Sequence, residues 1–229
     1  MAEKNFNTAE KFLLLAHHPE RGRFLIQHIY LQYGIAGAIL LDLTLEDRVD
    51  MVDRRLILKP ARVSADPVVS DVSALMSQSV KPRRVDYWIR RLGRRYGKYK
   101  RQILKGLADK RIVRIEEKKF LGFIPYRKSY LIESYTRSNL IRQLRNEILA
   151  YRGSSDDNAA LAGLVKACRM QRILSADRDE LKQIREQLKK MLSDSPVSDV
   201  VSQTIRQVHA AIMTSVTAAI VASTAGGSH

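Results

Sequence analysis

The chain has 229 residues, with 40 Lys and Arg against 24 Asp and Glu, a formal net charge of +16 and a single cysteine. One thiol excludes an intramolecular disulfide and a cysteine-based zinc site, while 45% hydrophobic residues suffices for a sizeable core. A pI near 10.1 points to a polyanionic partner, either nucleic acid or an anionic membrane surface.

Residues 1–10 are polar and expected to fray. Phe12 to Ala16 forms a short apolar element, and His17, His18, Pro19 and Gly22 turn the chain into a second segment. That element is too short for the apolar region of a secretory signal, so the expected location is intracellular and cytoplasmic. Residues 31–46 read as one helix, almost free of charge as far as Leu41. A helix apolar on all sides must be buried on all sides, which makes this run the expected centre of the domain. It is shorter than the roughly 20 apolar residues that span a bilayer. Gly34 and Gly37 each cost about 1 kcal/mol relative to Ala, and so predict neighbouring helices that approach closely there. Asp42 and Glu46 mark a wet end, where ion pairs with arginines are expected.

Two apolar runs around Asp53 and Arg54 predict a small hairpin. Pro60 and residues 64–67 make a connection, a helix follows from about Pro67 to Met76, and Pro82 marks a loop. From Val85, apolar residues recur at Trp88, Leu92, Tyr96, Tyr99, Ile103 and Leu107, a helical stripe that Gly93 and Gly97 would split. Residues 111–115 and 129–132 are strand-like, with Phe120 to Pro125 between them. Arg137 to Tyr151 is amphipathic, with Leu140, Ile141, Leu144 and Ile148 inward and Arg137, Arg142 and Arg145 outward. A linker at 153–158 leads to helices over 159–174 and 177–192, and Ser195-Pro196 breaks the pattern. The last helix, from about Ser198, carries Val201, Ile205, Val208, Ile212, Val216 and Ile220 on one face and reads as a core helix rather than a tail anchor. The expected fold class is mainly α: a helical domain around a central apolar helix, with small β-hairpins. The expected organisation is a flexible N-terminus over 1–8, one domain over 9–224 and a disordered tail over 225–229.

Neither common phosphate-binding glycine loop occurs, and the histidines lack metal-ligand spacing. No catalytic residue, metal ligand or cofactor is therefore expected, and the chain does not read as an enzyme. Residues 81–119 hold 16 of the basic residues against four acids. Arg90, Arg91, Arg94 and Arg95, with Lys98, Arg101 and Lys105, fall largely opposite the Trp88 stripe and form the expected membrane-facing basic surface. A charge field alone does not separate lipid headgroups from nucleic-acid phosphates. The helix-strand-strand order there resembles a winged-helix unit, so nucleic-acid binding is the alternative.

The order of residues in Phe12 to Ala16, Gly34-Ile-Ala-Gly-Ala-Ile-Leu-Leu-Asp-Leu-Thr-Leu-Glu-Asp-Arg-Val49, Val85-Asp-Tyr-Trp-Ile89 and the run from Leu104 to Pro125 resembles the Golgi phosphoprotein 3-like family, in its compact bacterial form. The resemblance covers about residues 9–224. It implies a mostly helical domain and an adaptor that binds phosphatidylinositol 4-phosphate at a membrane, with anionic lipids and protein clients as partners and a homo-oligomer as a further assembly. The family's pocket tryptophan falls at Gln27, its central-helix arginine at Ala36, and its two later basic positions at Asn139 and Arg142. Arg137 and Arg145 flank Arg142 and complete the expected headgroup site. The family's membrane-inserting loop maps to 158–164, where Leu161 and Leu164 are the sizeable apolar groups.

Overall fold

The computed structural model describes residues 5–60, 64–121, 123–150, 156–194 and 199–225. Parts of four expected features lie outside them: the N-terminus over 1–4, the linker over 153–155, the Ser195-Pro196 break and the tail beyond Ala225. Among the described residues the architecture is mainly α, with ten helices and two small antiparallel sheets.

Helix α1 (Thr8–Ala16) begins inside the stretch expected to fray. Its start is held by a reciprocal capping box in which the Asn7 side chain accepts the Glu10 amide at 2.8 Å and Glu10 accepts the Asn7 amide. Two further amides of its first turn, Thr8 and Ala9, donate to the carboxylate of Asp42 at 2.6 and 3.1 Å. Asp42 thus serves a helix N-terminus rather than an arginine, because the orphan donors of a buried helix end need an acceptor. Glu46 does take the expected partner, Arg48, at 2.7 Å.

Helix α2 (His28–Leu45) is the centre of the domain, with Leu31 and every residue from Gly34 to Leu43 buried. It is the helix among the described residues that is long and apolar enough to cross a membrane by composition, yet here it is the core of a bundle. A Cβ at Gly34 would lie 2.1 Å from the Phe12 ring, and one at Gly37 would lie 2.3 Å from Val208. The two glycines are where α1 and α10 (Asp199–Ala225) cross the central helix. Val201, Val208 and Ile212 of α10 are buried, as a core helix requires.

Strands β1 (Val49–Val52) and β2 (Arg55–Leu58) form the expected hairpin, with Asp53 and Arg54 at φ 50° and 60° in its turn. That left-handed pair suits the twist of a two-residue turn. A two-residue strand β3 (Arg83–Arg84) adds to β2 and is too short to leave a periodic signal. Helix α3 (Pro67–Ser77) is capped by Asp66, which accepts the Val68 and Val69 amides, with proline at its first position.

The Trp88 stripe splits into α4 (Val85–Arg94) and α5 (Tyr96–Asp109) at Arg95 rather than at a glycine. Gly93 instead lets α4 approach Tyr33 of α2. Strands β4 (Val113–Phe120) and β5 (Ile124–Leu131) pair from Val113↔Leu131 to Phe120↔Ile124, so the hairpin takes in most of the stretch expected to separate two short strands. The charged run Glu116 to Lys119 hides its alternation. Helices α6 (Ser134–Leu149), α7 (Asp156–Ala167), α8 (Gln171–Leu174) and α9 (Arg178–Asp194) complete the bundle before α10.

Candidate functional site

A cavity of about 1150 Å³ lies between α5, the β4–β5 hairpin and the loop that follows α1. Helix α5 contributes Tyr96, Lys98, Lys100, Arg101 and Lys105; the hairpin contributes Glu117, Arg127 and Lys128; the loop contributes Gly22 and Phe24. Six cations therefore face one carboxylate. Glu117 is taken by Arg127 at 2.6 Å, and Lys98 pairs with Asp71 at 2.7 Å. Lys100, Arg101, Lys105 and Lys128 have no acidic partner among the described residues.

Lys100 is the most constrained of the four. Its ammonium lies 5.6 Å from the Tyr96 ring and 5.8 Å from the Phe24 ring, and burial lowers its pKa. Aromatic faces offset part of the desolvation of a cation, but they carry no full charge. An anion entering the cleft would supply the missing counter-charge. Tyr96 is itself held by His28 at the start of α2.

The loop wall is pinned by His17, which is buried. Its Nδ1 faces the His18 carbonyl at 2.7 Å, and its Nε2 faces the Ser129 carbonyl and hydroxyl at 2.9 and 3.0 Å. Burial holds this imidazole below its ordinary pKa, which favours the neutral ring. The neutral form with its proton on Nδ1 donates to His18 and accepts the Ser129 hydroxyl. The end of α1 is thereby tied to β5.

Beyond the cleft the hairpin ends in an apolar tip, where Leu121 and Phe123 are each 71% exposed and Ile124 46%. Lys118, Lys119, Arg127 and Lys128 flank it along the two strands. The cleft lining runs along β5 from Ser129 to Pro125, next to Ile124, so the tip borders the cleft. Large apolar side chains thus stand together at an exposed turn, flanked by cations.

The residues singled out in the sequence are distributed differently. Gln27 is the exposed N-cap of α2, one residue from His28, while Ala36 is buried in the core. Arg137 points inward, against expectation: only 8% exposed, it donates to the carbonyls of Leu14 and Leu15 at 3.1 and 3.0 Å. It satisfies the last carbonyls of α1, as orphan acceptors at a buried helix end demand. Arg142 is exposed and donates to Asn139, and Arg145 lies 3.7 Å from Glu180 of α9. The three α6 arginines thus look to three different neighbours and do not converge on one site.

Leu161 and Leu164, expected on an inserting loop, are 5% and 0% exposed within α7. Their stretch is helical and packed on α2 and α10, so it has no free apolar surface to insert. Arg90 pairs with Asp86 and Arg91 donates to the Tyr87 hydroxyl at 2.9 Å. Arg94 and Arg95 are exposed at the junction of α4 and α5, where the basic surface runs on toward Lys98 and the cleft. Lys100, Lys128 and the hairpin tip were missed; the apolar run Phe120 to Ile124 between lysines was the available signal for the tip.

No group of His, Cys, Asp and Glu suited to a metal ion occurs among the described residues. Cys168 is buried, which raises its thiol pKa and favours the protonated thiol at neutral pH. A family model described as Golgi phosphoprotein 3 (GPP34) matches residues 9–208. No curated protein matches the chain.

Proposed function

From the premise that the chain belongs to the Golgi phosphoprotein 3 family, we propose that it is a peripheral membrane protein on the cytoplasmic face, an adaptor rather than an enzyme. Anionic phospholipid headgroups enter the cleft at Lys100, Arg101, Lys105 and Lys128, and the tip Leu121, Phe123 and Ile124 enters the acyl boundary. One observation carries this reading: the β4–β5 hairpin that bears the exposed apolar tip is also a wall of the cleft that gathers the unpaired cations of α5 and Lys128.

Neither part suffices alone. A basic residue near an anionic surface is worth about 1 kcal/mol, and a fully buried Leu, Ile or Phe about 1.5–3 kcal/mol. Stable but reversible attachment takes both an apolar and an electrostatic component. The surface that remains exposed away from the hairpin is then free for client proteins.

Sedimentation with phosphatidylglycerol vesicles tests this. Leu121→Ser with Phe123→Ser should abolish co-sedimentation and leave the helical circular dichroism unchanged. Sedimentation of that variant at the wild-type level would overturn the reading. A DNA gel-shift at matched salt, tighter than vesicle binding and insensitive to the tip variant, would favour nucleic acid instead.

A further inference from the structure

A second cavity, of about 470 Å³, opens beside the first and is lined by Glu20, Arg21, Gly22, Arg23, Lys128 and Tyr130. Gly22 and Lys128 line both cavities. A Cβ at Gly22 would lie 3.0 Å from the Tyr130 ring and 3.1 Å from the Lys128 Cβ, so the bare backbone of the loop rests on β5 and forms the partition. Strand alternation puts Arg127 and Ser129 on one face of the hairpin and Lys128 and Tyr130 on the other. The two cavities therefore sit on either side of one loop, with Lys128 reaching both.

The small cavity has the same electrostatic deficit as the large one. Arg21 and Arg23 have no acidic partner among the described residues, although Glu20 is their neighbour. Their backbone is fixed: the His18 amide donates to the Arg23 carbonyl at 2.9 Å, and the Glu20 and Arg21 amides donate to His18 Nδ1 at 3.1 and 3.0 Å. Guanidinium groups on an ordered loop, unpaired and beside a lysine, suit a phosphate that accepts two hydrogen bonds from each fork.

We propose that this small cavity is a second phosphate subsite, and that the two cavities together take a lipid headgroup carrying two phosphates on one short polyol bridge. The proposal rests on the membrane reading above. A headgroup with one phosphate neutralises one cavity and leaves the cations of the other unmet. A bridged pair fills both, and the second phosphate arrives at the high effective concentration set by its tether.

Vesicles of equal surface charge, made with cardiolipin or with twice the mole fraction of phosphatidylglycerol, separate the outcomes. Wild-type protein should bind the cardiolipin vesicles about tenfold more tightly. Arg21→Gln with Arg23→Gln should bring the two within about twofold, whereas Lys182→Gln with Arg185→Gln, which removes equal charge from α9, should keep the preference. Inorganic phosphate at matched phosphate concentration should leave the preference standing; its loss would place a free anion in the small cavity and overturn the two-phosphate assignment. Equal binding of wild-type protein to both vesicles would overturn this inference alone. Binding to neither would overturn the membrane reading and this inference with it.

Discussion

The carboxylate of Asp42 accepts the backbone amide of Thr8 at 2.6 Å, so the far end of the central helix closes the beginning of α1. Burial raises the Asp42 pKa to about 7, against the pull of its hydrogen bonds from Thr8 and Ala9. The raised value means that the folded state holds a proton which the unfolded chain releases near its ordinary pKa. The associated stability is full below about pH 4 and is lost as pH rises toward 7, with a span on the order of 4 kcal/mol. Urea unfolding between pH 4 and 8 should show an Asp42 component of stability that falls with pH, set against a His17 component that rises as its buried ring is left neutral. Asp42→Asn, which keeps an acceptor for one amide, should remove the falling component; an unchanged slope would assign the proton elsewhere.

Gly34 leaves room for the Phe12 ring, since a Cβ there would fall 2.1 Å from it. Gly34→Ala gains helix propensity of about 1 kcal/mol but overpacks the crossing of α1 and α2, which costs about 1–3 kcal/mol. The net effect should be destabilising. Phe12→Leu in the same chain should recover part of the loss, because the two residues share one contact. Thermal unfolding of the double-mutant cycle checks this, and strictly additive losses would show that the ring is not the obstacle.

The central helix was legible because residues 34–43 carry apolar groups right around the axis, a pattern with one physical solution, and the glycines marked the crossings correctly. The β1–β2 hairpin was legible through its turn. Tertiary partners were not. Asp42 looks like a surface acid at a helix end, and only the arrival of α1 makes it an amide acceptor. Arg137 falls on the charged side of its own helix pattern, yet the carbonyls of Leu14 and Leu15 draw it inward. Leu161 and Leu121 are equally apolar in the sequence; one packs in α7 and the other stands at a turn, a difference that exposure alone decides. The cleft joins residues from positions 22 to 129, a convergence that no local period encodes.

Arg137 should therefore matter for stability and not for membranes. Arg137→Met leaves the Leu15 carbonyl without its donor and the Leu14 carbonyl with the His17 amide alone, at about 1–3 kcal/mol for the unmet acceptor if it stays dry. Arg137→Lys should recover part of this, since an ammonium can reach an acceptor but lacks the planar fork. Both variants should bind phosphatidylglycerol vesicles like wild type at temperatures where they are folded. A selective loss of vesicle binding in a fully folded Arg137→Met protein would return this residue to the headgroup site.

Headgroup recognition should depend on charge more than on inositol geometry. Three of the four unpaired cations in the cleft are lysines, which act as compact point charges rather than planar forks. Gln27 offers no ring at the start of α2, and Ala36 is buried and contributes no charge. A site so built responds to the number of negative charges and tolerates their rearrangement around a ring. Vesicles carrying phosphatidylinositol 4-phosphate, or its 3- or 5-phosphate isomer at the same density, should accordingly bind within about tenfold of one another, or 1.4 kcal/mol. Lys100→Ala should weaken all three alike, because it removes a charge common to each. Arg142→Ala should change none of them, since Arg142 is engaged with Asn139 within α6 and does not line the cleft. A hundredfold preference for the 4-phosphate would sink the argument, and its loss in Arg142→Ala would relocate the site to α6.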